Sequence, residues 1–236
     1  MKTWSASSAV SYLEFLHMPI RHIIFDCDGV LVDSEILTAE FEAELLARFG
    51  VHLSPEAIKE RFAGRTARGQ WLELAAEYKL ELPEGFLEFR KRHAMENFSR
   101  LLKPIPHVPE TLAKLTAKLS VASNSERDML HHKLRITGLA GLFADRILSV
   151  DHVARPKPAP DLYREAVARA GIPRLETLVV EDTPTGIAAA MAAGISVLGF
   201  VGASHNTPET PVKLKNAGAF AVIEDMRKLP SVLAAM

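Results

Sequence analysis

Five short apolar runs constrain the fold of this chain more than any other feature of its sequence. Helical patterns lie between the last four of them, and two of these patterns end at glycine, Gly171 and Gly194. Short buried strands that alternate with helices are typical of a parallel, doubly wound sheet. The sequence therefore predicts an α/β fold with a Rossmann-like core. The runs are 20–25, 119–123, 147–150, 177–181 and 195–200.

One stretch between the first and second runs breaks the alternation, because its patterns are helical only. Leu37, Phe41 and Leu45 recur there at steps of four. An all-helical block inserted into an α/β sheet begins and ends where strands end, which is where such sheets bind ligands. We therefore expect an inserted helical cap domain. The predicted division is a dispensable N-terminal extension at 1–17, an α/β core at 18–33 and 102–236, and a cap at 34–101.

Composition and charge exclude several classes of function. The formal net charge is −1, so no basic field favours binding to nucleic acid or to an acidic membrane. No apolar stretch approaches the ~20 residues of a membrane span. Cys27 is the single cysteine, which fits a reducing compartment. We expect a cytoplasmic monomer that binds neither membranes nor nucleic acid.

Four acidic residues follow two of the predicted strands. Asp26 and Asp28 come directly after the first run, and Glu181 and Asp182 end the fourth. The first pair alone could be an ordinary Asp-Gly turn. Together, acids at one edge of a sheet repel one another unless a cation lies between them. Mg²⁺ suits such a site because it prefers oxygen ligands and keeps positions for phosphate.

Two further segments have features of a phosphate site. Ser123-Asn124 ends the second run, where a hydroxyl and main-chain N–H groups before a helix can hold phosphate, although an isolated pair of this kind is usually a simple helix cap. Lys157 lies between two prolines that stiffen its loop. A lone lysine is usually just solvated, but here it accompanies the four acids. A cation at that place would offset charge on a transferred phosphoryl group.

Taken together, these residues resemble the four motifs of the haloacid dehalogenase superfamily, in the same order along the chain. The helical insertion resembles the first cap class of that superfamily, and the β-phosphoglucomutase-like phosphatases are the branch most similar to this sequence. The resemblance covers about residues 20–225. The motifs are Asp26-x-Asp28-Gly-Val, Ser123-Asn124, Lys157 and Glu181-Asp182-x-x-x-Gly186.

The resemblance implies a role for each motif residue. Asp26 would attack phosphorus and become an aspartyl phosphate. Asp28 would protonate the leaving group and then deprotonate the hydrolytic water. Mg²⁺ would be held by Asp26, the main-chain carbonyl of Asp28, Glu181 and Asp182. The phosphoryl group would be bound by Ser123, Asn124 and Lys157.

The expected function is a magnesium-dependent phosphatase for a small phosphorylated metabolite, such as a sugar or sugar-acid phosphate. In the cap, Arg65 and Arg68 are the candidates for substrate binding, although either could be a plain surface arginine. The alternative is a β-phosphoglucomutase-like mutase, which would have histidine at position 38; this chain has Thr38. A catalytically inactive binding protein on the same fold is the third alternative.

Cys27 lies between the two acids of the first motif but is not expected to be a nucleophile. No neighbouring histidine in the sequence could activate it, and the flanking carboxylates would raise its pKa. Adjacent residues of an extended segment face opposite ways, so its side chain should point away from the phosphate. We predict a packed, inert cysteine.

Overall fold

The fold is built around one six-stranded sheet, in a computed structural model that describes residues 19–62 and 64–236. Every neighbouring pair of strands is parallel. The strands are β1 (His22–Phe25), β2 (Lys118–Ala122), β3 (Ile147–Leu148), β4 (Thr177–Glu181), β5 (Ser196–Phe200) and β6 (Ala221–Ile223). Their order across the sheet is β3-β2-β1-β4-β5-β6, so the first motif lies at the centre, between β2 and β4.

The parallel α/β sheet predicted from the sequence is confirmed, with two differences in its strands. β3 stops at Leu148, because the side chain and backbone of Ser149 engage His152 in a short 3₁₀ turn. β6 was not predicted. It has only three residues, and two of them are half-buried, which leaves too little apolar pattern to recognise.

Helices cover both faces of the sheet. Alternate residues of each strand point to opposite faces, so Ile23 and Phe25 belong to one apolar cluster and Ile24 to the other. The second cluster contains Tyr163 and the alanine-rich helix that begins at Pro184. The helices outside the cap are α5 (Val108–Leu112), α6 (Arg127–Ile136), α7 (Ala140–Phe143), α8 (Asp161–Ala170), α9 (Pro184–Ala193), α10 (Thr210–Ala217) and α11 (Leu229–Ala234).

Four helices occupy the chain between β1 and α5, where the sequence predicted an all-helical insertion. They are α1 (Glu35–Ala47), α2 (Pro55–Phe62), α3 (Ala67–Tyr78) and α4 (Phe86–Leu101). Trp71 and Phe86 pack edge to face at their centre, with ring centroids 4.6 Å apart. The division at 34–101 remains a prediction, and the predicted extension at 1–17 lies outside the described residues.

Helix ends follow local chemistry, with one correction to the predicted apolar faces. α8 and α9 end at Gly171 and Gly194, both in the left-handed region, as their sequences indicated. The sequence periodicity of α9 places Met191 on one apolar face with Ile187 and Ala190, but 51% of the Met191 surface is exposed, and Ala193 is buried instead. No helix within residues 19–62 and 64–236 is both long and apolar enough to cross a membrane.

Candidate active site

Three carboxylates meet at the carboxyl edge of the sheet. Asp26 follows β1, Glu181 ends β4 and Asp182 comes next, so the parallel register of β1 with β4 brings the three together. One oxygen from each lies within 4.8 Å of the others, and all three residues are buried. Burial raises the pKa of Asp26 well above its usual range; Lys157 opposes this effect and the neighbouring carboxylates reinforce it. Such a cluster needs a cation to keep its acids ionised.

Lys157 supplies one positive charge to this cluster. Its Nζ donates to Asp26 Oδ1 and to Glu181 Oε1, each at 2.7 Å, and it is buried. Tyr163, on α8, donates its hydroxyl to the same Glu181 oxygen at 2.7 Å. Glu181 Oε2 accepts from the main-chain N–H and the hydroxyl of Thr183. These bonds fix Glu181 and hold the Lys157 ammonium group against Asp26.

Asp182 fits a metal-binding role better than a structural one. Neither of its buried oxygens has a hydrogen-bond partner among the described residues, although His205 Nε2 approaches Oδ2 at 3.3 Å. Burial and the charge of Glu181 raise the pKa of Asp182 well above its usual range, against the effect of Lys157. A buried, unpartnered carboxylate is unfavourable unless a cation binds to it. The hard oxygen donors of this cluster suit Mg²⁺.

Two glycines leave room for these acids. A Cβ on Gly29, whose φ is +75°, would lie 1.8 Å from Asp182 Oδ2. A Cβ on Gly186 would lie 1.7 Å from Glu181 Oε1. Gly29 and Gly186 belong to the first and last motifs, and both positions exclude any larger residue while the acids keep these places.

Asp28 has different partners from the three clustered acids. Lys133 Nζ and the hydroxyl of Ser34 donate to its Oδ1, and the hydroxyl of Ser125 donates to Oδ2 at 2.9 Å. Burial alone would raise the pKa of Asp28, but Lys133 and the two hydroxyls outweigh burial and lower it. Asp28 is therefore held as a carboxylate, the form that can accept a proton.

The two residues after β2 are placed differently. Ser123 is buried in the cavity wall, and its hydroxyl accepts the N–H of Ser125 at 3.1 Å. Asn124 brackets Lys157: its Oδ1 accepts the Lys157 N–H at 2.9 Å and its Nδ2 donates to the Lys157 carbonyl at 3.1 Å. The same Nδ2 donates to the carbonyl of Gly64 in the cap at 2.9 Å. In this conformation Asn124 positions the loop of Lys157 and the cap.

All of the predicted core site residues except Asp182 line one cavity of about 420 Å³ between the core and the four helices. That volume is typical of pockets for small molecules. Arg65 and Arg68 line it from the cap, and both are exposed. Arg65 forms an ion pair with Glu73 at 2.7 Å, whereas Arg68 has no ion pair among the described residues.

Comparisons with known proteins agree with this geometry. Residues 23–200 match the family model described as haloacid dehalogenase-like hydrolase. The chain belongs to the haloacid dehalogenase-like hydrolases. The predicted superfamily is thereby confirmed.

Individual relatives of this hydrolase cover most of the chain. It is 27% identical to the 6-phosphogluconate phosphatase of Escherichia coli (strain K12), over 80% of this chain and 86% of that one. A conserved haloacid dehalogenase-like protein of unknown function from Agrobacterium tumefaciens is 40% identical, with a TM-score of 0.79 over 92% of this chain and 99% of that one. A Thermotoga maritima structure, named provisionally as a β-phosphoglucomutase, is 28% identical, with a TM-score of 0.71 over 92% and 99%.

The structure of this hydrolase adds candidate site residues that the sequence reasoning missed. Lys133 lies on the buried face of α6, four residues after Met129. A lysine on a helix face that is otherwise mainly apolar is the sequence signal that could have identified it. Tyr163 follows Leu162 in the apolar helical pattern that ends at Gly171, and this pattern does not indicate a role for its hydroxyl. Glu35 lines the cavity at the start of α1, where burial and nearby carboxylates raise its pKa to about 8. No sequence pattern singled it out.

The expectation for Cys27 of this hydrolase is confirmed. The residue is fully buried and belongs to the apolar cluster that contains Phe25 and Val30. Burial and the neighbouring Asp28 raise the pKa of the Cys27 thiol well above its usual range. A buried, protonated thiol is a packing group and not a nucleophile.

Proposed function

We propose that this hydrolase is a magnesium-dependent phosphatase that cleaves a small phosphorylated metabolite, a sugar or sugar-acid phosphate, through an aspartyl phosphate on Asp26. The observation that carries the proposal is the buried cluster of Asp26, Glu181 and Asp182, in which one oxygen from each residue lies within 4.8 Å of the others. Lys157 lies against two of these acids. The predicted enzyme class, a phosphatase, is confirmed by family membership and by the similarity to the Escherichia coli phosphatase described above.

The cation would be held by Asp26, Glu181 and Asp182, with the main-chain carbonyl of Asp28. When bound, Mg²⁺ would offset the charge of the carboxylates and of the phosphoryl oxygens. The unpartnered oxygens of Asp182 support this assignment, since no other group among the described residues satisfies them.

The chemical steps use two acids of the first motif. An Asp26 oxygen forms a bond to phosphorus as the bond from phosphorus to the substrate oxygen breaks, and Asp28 gives that oxygen a proton. Asp28 then takes a proton from water, whose oxygen attacks phosphorus and releases phosphate and free Asp26. Lys157 and Ser123 stabilise the negative oxygens in both halves. Because Lys133 holds Asp28 ionised, we infer that Asp28 takes up a proton from solvent as substrate enters and returns one to solvent when phosphate leaves.

The cap would exclude bulk water and select the organic part of the substrate. Several contacts hold it on the core in this conformation, among them Asn124 with Gly64 at 2.9 Å, Lys59 with the His205 carbonyl at 3.0 Å, and Lys91 with Glu126 at 3.1 Å. A monomeric state and a cytoplasmic location remain predictions.

The proposal is tested by following phosphate release from p-nitrophenyl phosphate after exhaustive chelation and with added Mg²⁺. We expect activity only with Mg²⁺, and inhibition by Ca²⁺, which takes more ligands at longer distances. Full activity of the chelated enzyme would remove the metal assignment. No phosphate release under any condition would favour the inactive binding protein.

The mutase alternative is kept because two structural neighbours, from Thermotoga maritima and Bacteroides vulgatus, carry that provisional name. Thr38 lines the cavity, and its side chain has no hydrogen bond among the described residues. We expect β-glucose 1-phosphate to yield glucose and phosphate without a bisphosphate activator. Bisphosphate-dependent formation of glucose 6-phosphate in excess of phosphate would establish the mutase instead.

A further inference from the structure

His205 lies beside Asp182, although it belongs to none of the four motifs. It is part of the loop that follows β5, and the parallel register of β4 with β5 brings that loop next to the acids at the end of β4. His205 Nε2 lies 3.3 Å from Asp182 Oδ2, and only 9% of the histidine side chain is exposed. The oxygens of an ionised carboxylate only accept hydrogen bonds, so Nε2 is placed to donate to Asp182 after a small shift of the ring.

Gly29 leaves the space in which the imidazole approaches the carboxylate. Its φ is +75°, and a Cβ at this position would lie 2.8 Å from His205 Cε1 as well as 1.8 Å from Asp182 Oδ2. Any larger residue at position 29 would displace the ring, the acid or both. The glycine of the first motif therefore accommodates the pair formed by His205 and Asp182.

Buried polar atoms without a partner are concentrated at this pair. Five such side-chain atoms occur among the described residues, and four of them belong to Asp182, His205 and Asn206. They are both Asp182 oxygens, His205 Nδ1 and Asn206 Oδ1. Buried polar groups in folded proteins are nearly always hydrogen-bonded. The hydrogen bonding of this corner is therefore incomplete without a bound group, and a cation on Asp182 would satisfy the acid directly.

The loop of His205 is held from two sides. The main-chain N–H and the hydroxyl of Ser204 donate to Asp33 Oδ1 at 3.2 and 2.8 Å. Lys59, on α2 of the cap, donates from Nζ to the His205 carbonyl at 3.0 Å. Asp33 is the last core residue before the predicted cap. The backbone that carries the imidazole is thus attached to the core through Ser204 and to the cap through His205 itself.

We propose that His205 is a positioning residue, whose Nε2 orients the Asp182 carboxylate for Mg²⁺ and which Lys59 holds in place when the cap is closed. A hydrogen bond to a metal-ligating group fixes its orientation, and loss of such a partner lowers metal affinity roughly 10–100-fold. Cap closure and Mg²⁺ affinity are then coupled, and such coupling is reciprocal. This inference rests on the magnesium site of the proposed function.

Mg²⁺ binding to the full chain, measured by isothermal titration calorimetry without substrate, tests the imidazole. His205→Gln and His205→Met have side chains of similar size, but only glutamine has an N–H at about the place of Nε2. We expect Kd for Mg²⁺ to rise about tenfold or more in His205→Met and less than about threefold in His205→Gln. His131→Met, at an exposed position on α6, is the control and should keep the wild-type Kd. Equal Kd values for His205→Gln and His205→Met, whether raised or unchanged, would overturn the role of the imidazole N–H.

Lys59→Met tests the link to the cap. Loss of a positive charge near the site would by Coulomb's law alone tighten Mg²⁺ binding, whereas loss of the bond to the His205 carbonyl should weaken it. We expect Kd to rise about threefold, and Lys59→Met to have no further effect in the His205→Met background. Lys91→Met is the matched control, because Lys91 also lines the cavity but binds Glu126, and its loss should not raise Kd. An unchanged or lowered Kd in Lys59→Met, or additive effects in the double variant, would overturn the link.

Asp182→Asn separates failure of this inference from failure of the proposed function. This variant removes the proposed metal ligand and sets the full loss of Mg²⁺ binding. If Asp182→Asn abolishes binding and His205→Met leaves Kd unchanged, the metal site stands and the assignment of His205 is wrong. If the wild-type chain binds no Mg²⁺ and releases no phosphate from p-nitrophenyl phosphate with Mg²⁺, the proposed function is wrong and this inference with it.

Discussion

Asn124 donates a hydrogen bond from its Nδ2 to the carbonyl of Gly64, with a nitrogen–oxygen distance of 2.9 Å. The same side chain accepts the main-chain N–H of Lys157 and donates to its carbonyl. One core residue therefore contacts both the cap and the loop that holds Lys157, the proposed phosphate-binding residue. We expect closure of the cap and placement of Lys157 to be linked through this amide.

Asn124→Ala should weaken both functions of that side chain. The change leaves the carbonyls of Gly64 and Lys157 and the Lys157 N–H without their partner, so we expect a loss of about 1–3 kcal/mol of unfolding free energy. We also expect kcat/KM to fall at least about tenfold. Chemical denaturation and steady-state kinetics measure the two effects. Asn216→Ala, at an exposed position on α10, is the control. Wild-type kinetics in Asn124→Ala would show that the Asn124 amide does not link the cap to the loop of Lys157.

Asp26→Asn should lower kcat at least ~10³-fold, since an amide is a poor nucleophile. Its melting temperature should equal or slightly exceed that of the wild type, because burial and nearby carboxylates raise the pKa of Asp26 in the folded protein. Phosphate release and a thermal melt in the absence of metal test the pair of effects. More than a few per cent of residual activity would exclude Asp26 as the nucleophile.

Lys133→Met should change how activity depends on pH. Lys133 contributes to the lowered pKa of Asp28, so its removal should let that pKa rise. The base form of Asp28 is then lost at a higher pH, and the acidic limb of the kcat profile should move upward. Arg135→Met, on the same helix but directed to His132, should leave the limb in place. Coincident profiles for Lys133→Met and the wild type would contradict the assigned role.

His22 should make stability depend on pH between about 4 and 6.5. Burial, with Lys118 and Arg146, lowers its pKa from 6.5 to about 4 in the folded protein. The unfolded chain therefore binds the proton more readily, so stability is complete above pH 6.5 and falls as the pH drops towards 4, by up to about 3 kcal/mol. His22→Gln should flatten this dependence in urea titrations, whereas His52→Gln, at an exposed position, should not. An unaltered dependence in His22→Gln would place its origin elsewhere.

The sequence located the core of the site because its signals are local. Asp26 and Glu181 lie at the ends of apolar runs, and parallel strands bring such ends to one edge. Lys133 was missed for the opposite reason. Its importance depends on which group reaches it from a distant segment, and Asp28 reaches Lys133 across 105 positions of sequence. Such a contact is visible only once the surrounding chain is in place.

The helices that line the cavity opposite the acids come from one uninterrupted stretch of chain, α1 to α4. Every side chain that carries the proposed bond-breaking steps lies outside that stretch, at strand ends or in the loops that follow them. Substitutions at Arg65 or Arg68 can therefore accumulate without altering the reactive groups. The α1–α4 stretch could be exchanged for that of a relative, and we expect the resulting chimaera to accept other substrates with the same reactive groups. The hydrogen bond between Asn124 and Gly64 would have to be preserved in the exchange.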